Sequence, residues 1–222
     1  LKPIAQFRFS PTNGKNISDS SSTLRYDNIF SPNRIGRSDM VEKGASLSLG
    51  VEFEKQVEKE NLIKDKILGF SLGNVIKHKK NDSLPLKSKL SETRSDFVGN
   101  FYYKIEDMLE LSYNFSYDRD LDFSNYDAIT AKIGSNNFVS TFDYITENHE
   151  FGNSEIIKNN TELKFNDEHS LQFNTTKDLK DDFTQFYKLT YEYETDCLLT
   201  SFQYQKKFFR DGKLVPDESL YF

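Results

Sequence analysis

The sequence predicts an all-β chain. It reads as an antiparallel, up-and-down transmembrane β-barrel, of which these 222 residues supply about twelve strands of a larger whole. Three observations carry that expectation. Apolar and polar residues alternate along most of the chain. The alternating runs are about ten residues long, against ~5–6 for an ordinary soluble strand and ~9–11 for one that crosses a bilayer at a tilt. Short connections alternate with long ones, as on the two rims of an outer-membrane barrel.

The first run is 2–9. In 44–55, Leu47, Leu49, Val51 and Phe53 alternate with Ser46, Ser48, Gly50 and Glu52. Runs follow at 65–76 and 95–105; in the latter Phe97, Phe101, Tyr103 and Ile105 share a face with Gly99. In 109–118, Leu109, Leu111, Tyr113, Phe115 and Tyr117 alternate with Glu110, Ser112, Asn114 and Ser116. Next come 124–133, 137–146 and 154–165. In 168–178, Leu171 and Phe173 alternate with Gln172 and Asn174; in 183–194, Tyr187, Leu189, Tyr191 and Tyr193 alternate with Lys188, Thr190 and Glu192. In 198–209, Leu198, Phe202, Tyr204 and Phe208 share a face with Thr200 and Lys206, and 217–222 opens a last run. Successive side chains leave a strand on opposite faces, so each run has one apolar and one polar face. No window of comparable length keeps a helical period. Tight turns fall at 106–108, 134–136, 166–168 and 195–196, with 56–64 a long member of that set. The other set is 10–43, 77–94, 119–123, 147–153, 179–182 and 210–216, with 179–182 its short member.

Composition narrows the function classes. Twenty Phe and 12 Tyr argue against disorder, since such rings are buried or face an apolar phase. No stretch approaches the roughly 18–20 apolar residues of a spanning helix. A net charge of −6 argues against a nucleic-acid partner. The single Cys excludes an internal disulfide scaffold. A mean hydropathy of −0.68 fits a soluble β-sandwich, but it fits equally a strand that is apolar on one face and borders water on the other. A chain that opens Leu1-Lys2-Pro3 and stops inside an alternating run reads as a fragment of a longer one. In a bilayer the sheet must close on itself, so further strands are expected outside this fragment.

A set of colinear motifs then points to a family. Asn16-Ile17-Ser18-Asp19-Ser20 is followed by Tyr26-Asp27-Asn28-Ile29-Phe30, by Asn33-Arg34-Ile35-Gly36-Arg37-Ser38-Asp39, and by Glu42-Lys43-Gly44 and Leu49-Gly50. Further on stand Ser95-Asp96-Phe97-Val98-Gly99 and Tyr193-Glu194-Thr195-Asp196-Cys197. This order and spacing resembles the C-terminal barrel region of the LPS-assembly protein family, LptD. The departures are Ile17-Ser18 where the family prefers a Glu-containing motif, and Ser38 and Met40 around Asp39. Leu198 also stands where the family often has a second adjacent Cys.

The resemblance implies a barrel in the outer membrane of a Gram-negative bacterium, together with a periplasmic jelly-roll domain. It implies transport and insertion of lipopolysaccharide, delivered by periplasmic bridge proteins, with an LptE-like lipoprotein plug in the lumen. The lipid would leave through a seam whose C-terminal strand starts at Glu218–Phe222. Asp19, Ser20, Asp27, Asn28, Phe30, Arg34, Gly36, Asp39, Glu42 and Gly44 form the family-motif loop. Cys197 would make a disulfide to the missing N-terminal domain, and an unpaired thiol is the alternative.

Segment 10–43 is too long for a plain hairpin loop, so it either serves a function or folds inward. Ion pairs among Asp19, Asp27, Arg34, Arg37, Asp39 and Glu42 would pin it in the lumen, and an ordinary surface loop is the alternative. Lumen-facing candidates by parity are Glu110, Ser112, Asn114, Lys132, Gln172, Asn174, Lys188 and Glu192; the plain reading is that they keep the interior wet. His78, Lys79, Lys80, Lys87 and Lys89 make a basic loop that is solvated or meets lipopolysaccharide phosphates. Asp118-Arg119-Asp120-Leu121-Asp122 imitates a calcium loop, but Phe123 and Ile129 stand where Gly and Glu are needed. His149 and His169 lack metal-ligand spacing. No cofactor or catalytic motif is present. The competing functions are a porin-like channel and a soluble β-rich binding module.

Overall fold

A computed structural model describes residues 1–11, 15–18, 23–35, 42–58, 64–149, 152–209 and 215–222. Alternation becomes twelve strands: β1 Lys2–Ser10, β2 Gly44–Glu58, β3 Lys64–Lys77, β4 Phe97–Ile105, β5 Leu109–Tyr117 and β6 Ser124–Ser135 come first. The rest are β7 Phe138–His149, β8 Gly152–Lys164, β9 His169–Asp178, β10 Phe183–Thr195, β11 Leu198–Lys207 and β12 Asp217–Tyr221. Each lies beside its sequence neighbours in one antiparallel sheet, so β1 and β12 are its two ends. The only helical turn among the described residues is Lys87–Lys89.

All twelve expected runs are present, and their ends shift by a few residues. β7 reaches His149 and β8 begins at Gly152, so strand takes up 147–149 and 152–153 of the long connection expected at 147–153. The cause is continued backbone pairing past the apolar pattern, which strand alternation alone cannot detect. Most of the connection expected at 56–64 lies outside the described residues.

The chain divides into two units. The first is Leu1–Tyr103, Ser112–Asp127 and Glu147–Gly152; the second is Lys104–Leu111, Ala128–Thr146 and Asn153–Phe222. In the first, register sets Phe53 opposite Phe70 and Phe70 opposite Phe101 on one face. Those rings are exposed, as are Phe7 and Phe9 of β1. The opposite face of the same strands is where burial occurs: Ser10, Ser46, Ser48, Val75, Lys77 and Val98 are all buried. The second unit repeats the division. Lys188 pairs with Asn174 and Glu192 with Ser170 on the polar face, while Leu189 pairs with Phe173 and Tyr191 with Leu171 on the apolar one. Phe173, Leu189, Tyr191 and Phe202 are exposed. The rings do not gather into a dry centre; they stand outward on the apolar face, as a membrane-facing sheet requires and a soluble sandwich forbids.

Polar groups that do fall on the apolar face meet one another. Tyr113 donates to Asp127 in the first unit. In the second, Tyr144 donates to Glu155 at 2.8 Å, and the Ser140 and Thr161 hydroxyls lie 2.7 Å apart. In hydrocarbon an unpaired polar group has no water to turn to, so such pairing is what a membrane-facing sheet would require of these residues.

Candidate functional site

The richest polar arrangement lies on the polar face of β1–β4, where the segment between β1 and β2 packs down onto the sheet. Parity delivers Arg8, Ser46, Ser48 and Lys77 to that face near the strand ends. Glu42, just before β2, receives three cations there. Arg34 Nε lies 2.8 Å from its Oε2, Arg8 Nη1 2.7 Å from the same oxygen, and Lys77 Nζ 2.8 Å from Oε1. Arg34 uses its remaining nitrogens on β2, donating to Ser48 Oγ at 2.8 Å and Ser46 Oγ at 2.6 Å. Ser48 in turn donates to the Ile29 carbonyl at 3.1 Å. Lys77 also donates to the Leu90 carbonyl. The Arg34, Glu42 and Lys77 side chains are 1%, 3% and 5% exposed, so these charges are paired almost wholly out of water. Burial alone would raise the Glu42 carboxyl, but Lys77 and Arg34 outweigh it and hold the group below its ordinary range.

Beside this cluster the loop makes a dry contact. Ile17, Leu24, Ile29 and Ile35 join Val75 and Val98 of the sheet, and Leu84 and Leu90 of the β3–β4 connection. Gly50 and Gly73 are opposite each other in the register. A Cβ at Gly50 would lie 2.7 Å from Phe30, and one at Gly73 3.1 Å from Ile29 and 2.7 Å from the Leu49 carbonyl. The two glycines therefore leave a hollow in the sheet that the loop fills. Tyr26 donates to Glu52 at 3.2 Å, and burial with that neighbouring carboxylate pushes its hydroxyl up to about 12.

A second buried acid stands at the start of β4. Asp96 accepts from Asn125 at 2.7 Å and Ser116 at 3.3 Å and is fully buried. Burial pushes its carboxyl up to about 6 against those hydrogen bonds.

Of the residues the sequence singled out in this loop, Arg34 and Glu42 meet directly. Asn28 shapes the loop by accepting from the Arg25 amide at 2.9 Å and donating to the Thr23 carbonyl at 3.0 Å. Phe30 is half-buried and Asp27 is exposed. Gly44 opens β2 with a φ of +102°, a conformation that favours glycine. Asp19, Ser20, Gly36, Arg37 and Asp39 lie outside the described residues. Arg8, Ser46, Ser48 and Lys77 escaped sequence reasoning. Their signal was polar parity at the same rim as the loop.

The interior candidates fall on the polar parity as well. Glu110, Asn114, Lys188 and Glu192 are half-buried and Lys132 is exposed. Asn114 accepts from Asn100 at 2.9 Å. Cys197 is an exposed free thiol in the two-residue turn between β10 and β11.

Residues 1–176 match the family described as LPS transport system D, LptD. The chain belongs to the LptD family. The match covers the motif loop and β1 through most of β9. It makes lipopolysaccharide transport, in an outer-membrane setting, the family-level function of this LptD chain. No curated protein matches it.

Proposed function

We propose that this LptD chain is the C-terminal part of the barrel that translocates lipopolysaccharide and inserts it into the outer leaflet of the outer membrane. The observation that carries this reading is the division of faces, with exposed rings on one side and a folded, ion-paired loop on the other. Lipopolysaccharide has acyl chains that require hydrocarbon and a charged glycan that requires water, and a wall with one face for each medium suits it.

In this reading the loop 10–43 folds into the lumen, pinned by Arg34 and Glu42. Glu110, Asn114, Lys132, Lys188 and Glu192 line the wet interior. An LptE-like lipoprotein plugs it, bridge proteins deliver the lipid from the periplasm, and β12 borders the exit seam. Cys197 sits on the periplasmic rim, where an oxidising environment favours a disulfide to the N-terminal domain. The chain acts as a transporter and carries out no enzymatic chemistry.

Photo-crosslinking tests the assignment. A benzophenone side chain at Asn114 or Lys188 of the full protein, irradiated in exporting cells, is expected to trap lipopolysaccharide. Absence of adducts at both positions would overturn the interior path. For Cys197, non-reducing electrophoresis of full-length protein should show a mobility change in Cys197→Ser; identical mobilities would remove the disulfide from the scheme.

A further inference from the structure

A cavity of about 630 Å³ opens at the rim where β1, β2 and β3 end. Its described lining contains five Lys and one His and no carboxylate. Lys77 turns toward Glu42 and Lys80 pairs with Glu92 at 2.7 Å, while His78 and Lys79 are exposed at the cavity wall. Asn81 and Ser83 add polar groups, and the apolar part of the wall is Ile17, Ala45, Leu84 and Phe9, which is 67% exposed.

Position makes this combination informative. Phe9 pairs with Ala45 and Phe7 with Leu47 on the apolar face of β1 and β2. The cavity therefore begins where that face ends and the lysines of residues 77–80 begin. A ligand there meets hydrocarbon-type surface on one side and concentrated positive charge on the other. A soluble anion would use the charge but not the Phe. A neutral lipid would use the Phe but not the charge. The volume is that of a small-molecule site and suits a sugar headgroup better than a single phosphate ion.

We infer that this cavity is a docking site for the phosphorylated sugar headgroup of a glycolipid, with His78, Lys79 and Lys80 meeting the phosphates and Phe9 the start of the acyl region. The inference rests on the transport reading above and adds to it a seat at the rim, apart from the interior path.

The test uses the full-length protein in non-ionic detergent, titrated with bis-phosphorylated lipid A, the same lipid after phosphate removal, and inorganic pyrophosphate. The phosphorylated lipid is expected to bind about tenfold tighter than its dephosphorylated form, with the advantage shrinking as salt rises. The combined substitution His78→Ala, Lys79→Ala and Lys80→Ala should abolish that advantage, and Lys79→Arg with Lys80→Arg should keep it. Equal binding of the two lipids by the unmodified protein would overturn the site without reference to any variant. Pyrophosphate binding as tightly as the phosphorylated lipid would reassign it to a free anion. Depletion of the full protein gives an independent reading. If surface lipopolysaccharide falls while the two lipids bind equally, transport stands and only this site fails. If it does not fall, the transport reading itself fails.

Discussion

Glu42 meets three cations, and that ratio decides what its removal does. Glu42→Gln leaves Arg34 and Lys77 buried, and Arg8 half-buried, without a counter-charge, which costs about 3–5 kcal/mol, as breaking a buried pair generally does. The exposed pair Lys2–Glu52 is a control, since Lys2 is 73% exposed and such surface pairs contribute only ~0–1 kcal/mol. Heat-modifiability of the full protein on electrophoresis should therefore fall clearly for Glu42→Gln and stay near the parent for Lys2→Ala. The pH dependence separates Glu42 from Asp96. The Glu42 carboxyl sits below its ordinary value, so its stabilisation is present above about pH 4.5 and is lost as pH falls through its folded value. Asp96 runs the other way. Its folded form holds a proton up to about pH 6, against an ordinary 3.8, so stability falls as pH rises between those values and levels off above. Asp118 adds to that upward push and Lys89 opposes it. Asp96→Asn should flatten the decline between pH 4 and 6 in a melting series; an unchanged slope would remove Asp96 as its source.

At the scale of elements, the loop between β1 and β2 is held by shape as well as charge. Gly50 and Gly73 form the hollow under Ile29 and Phe30, and a Cβ at Gly73 would press on the Leu49 carbonyl at 2.7 Å, backbone that cannot swing aside. Gly73→Val should lift residues 23–35 from the sheet and raise their cleavage by external protease, with the strands themselves intact by circular dichroism. Cleavage equal to the parent would show that the hollow is not what seats the loop. The strands were legible in advance because period two states both that a strand exists and which way each side chain points. The loop was legible only in part. Arg34 and Glu42 stood out as opposite charges in a recognisable motif, but their partners Arg8 and Lys77 come from strands more than 25 residues from one or other of them, and only register brings them together. The dry patch of Ile17, Leu24, Ile29 and Ile35 has no local period, so nothing in the sequence marks it as a core. The same limit hid the extension of β7 to His149 and the early start of β8 at Gly152, which depend on backbone hydrogen bonds rather than on side-chain pattern.

At the scale of the whole molecule, one claim decides between a membrane wall and a soluble sheet: the exposed rings touch hydrocarbon. Phe173 tests it well. It stands midway along β9, between Thr161 of β8 and Leu189 of β10 in the register, and is exposed. In a bilayer, Phe173→Lys places a charge where water is absent, at a cost of about 2–4 kcal/mol near the midplane. On a soluble surface the same change would be neutral or would improve solubility. Lys188 pairs with Asn174 on the opposite face, so Lys188→Ala leaves the apolar face untouched and is the matched control. The measurement is the fraction of full-length protein that assembles into a detergent-resistant, heat-modifiable form in outer membranes. Phe173→Lys should reduce that fraction severalfold and Lys188→Ala should not. If both variants assemble like the parent, the apolar face does not contact lipid. If only Lys188→Ala fails, the two faces have been assigned to the wrong media, and the interior path proposed here would have to be redrawn on the opposite side of the sheet.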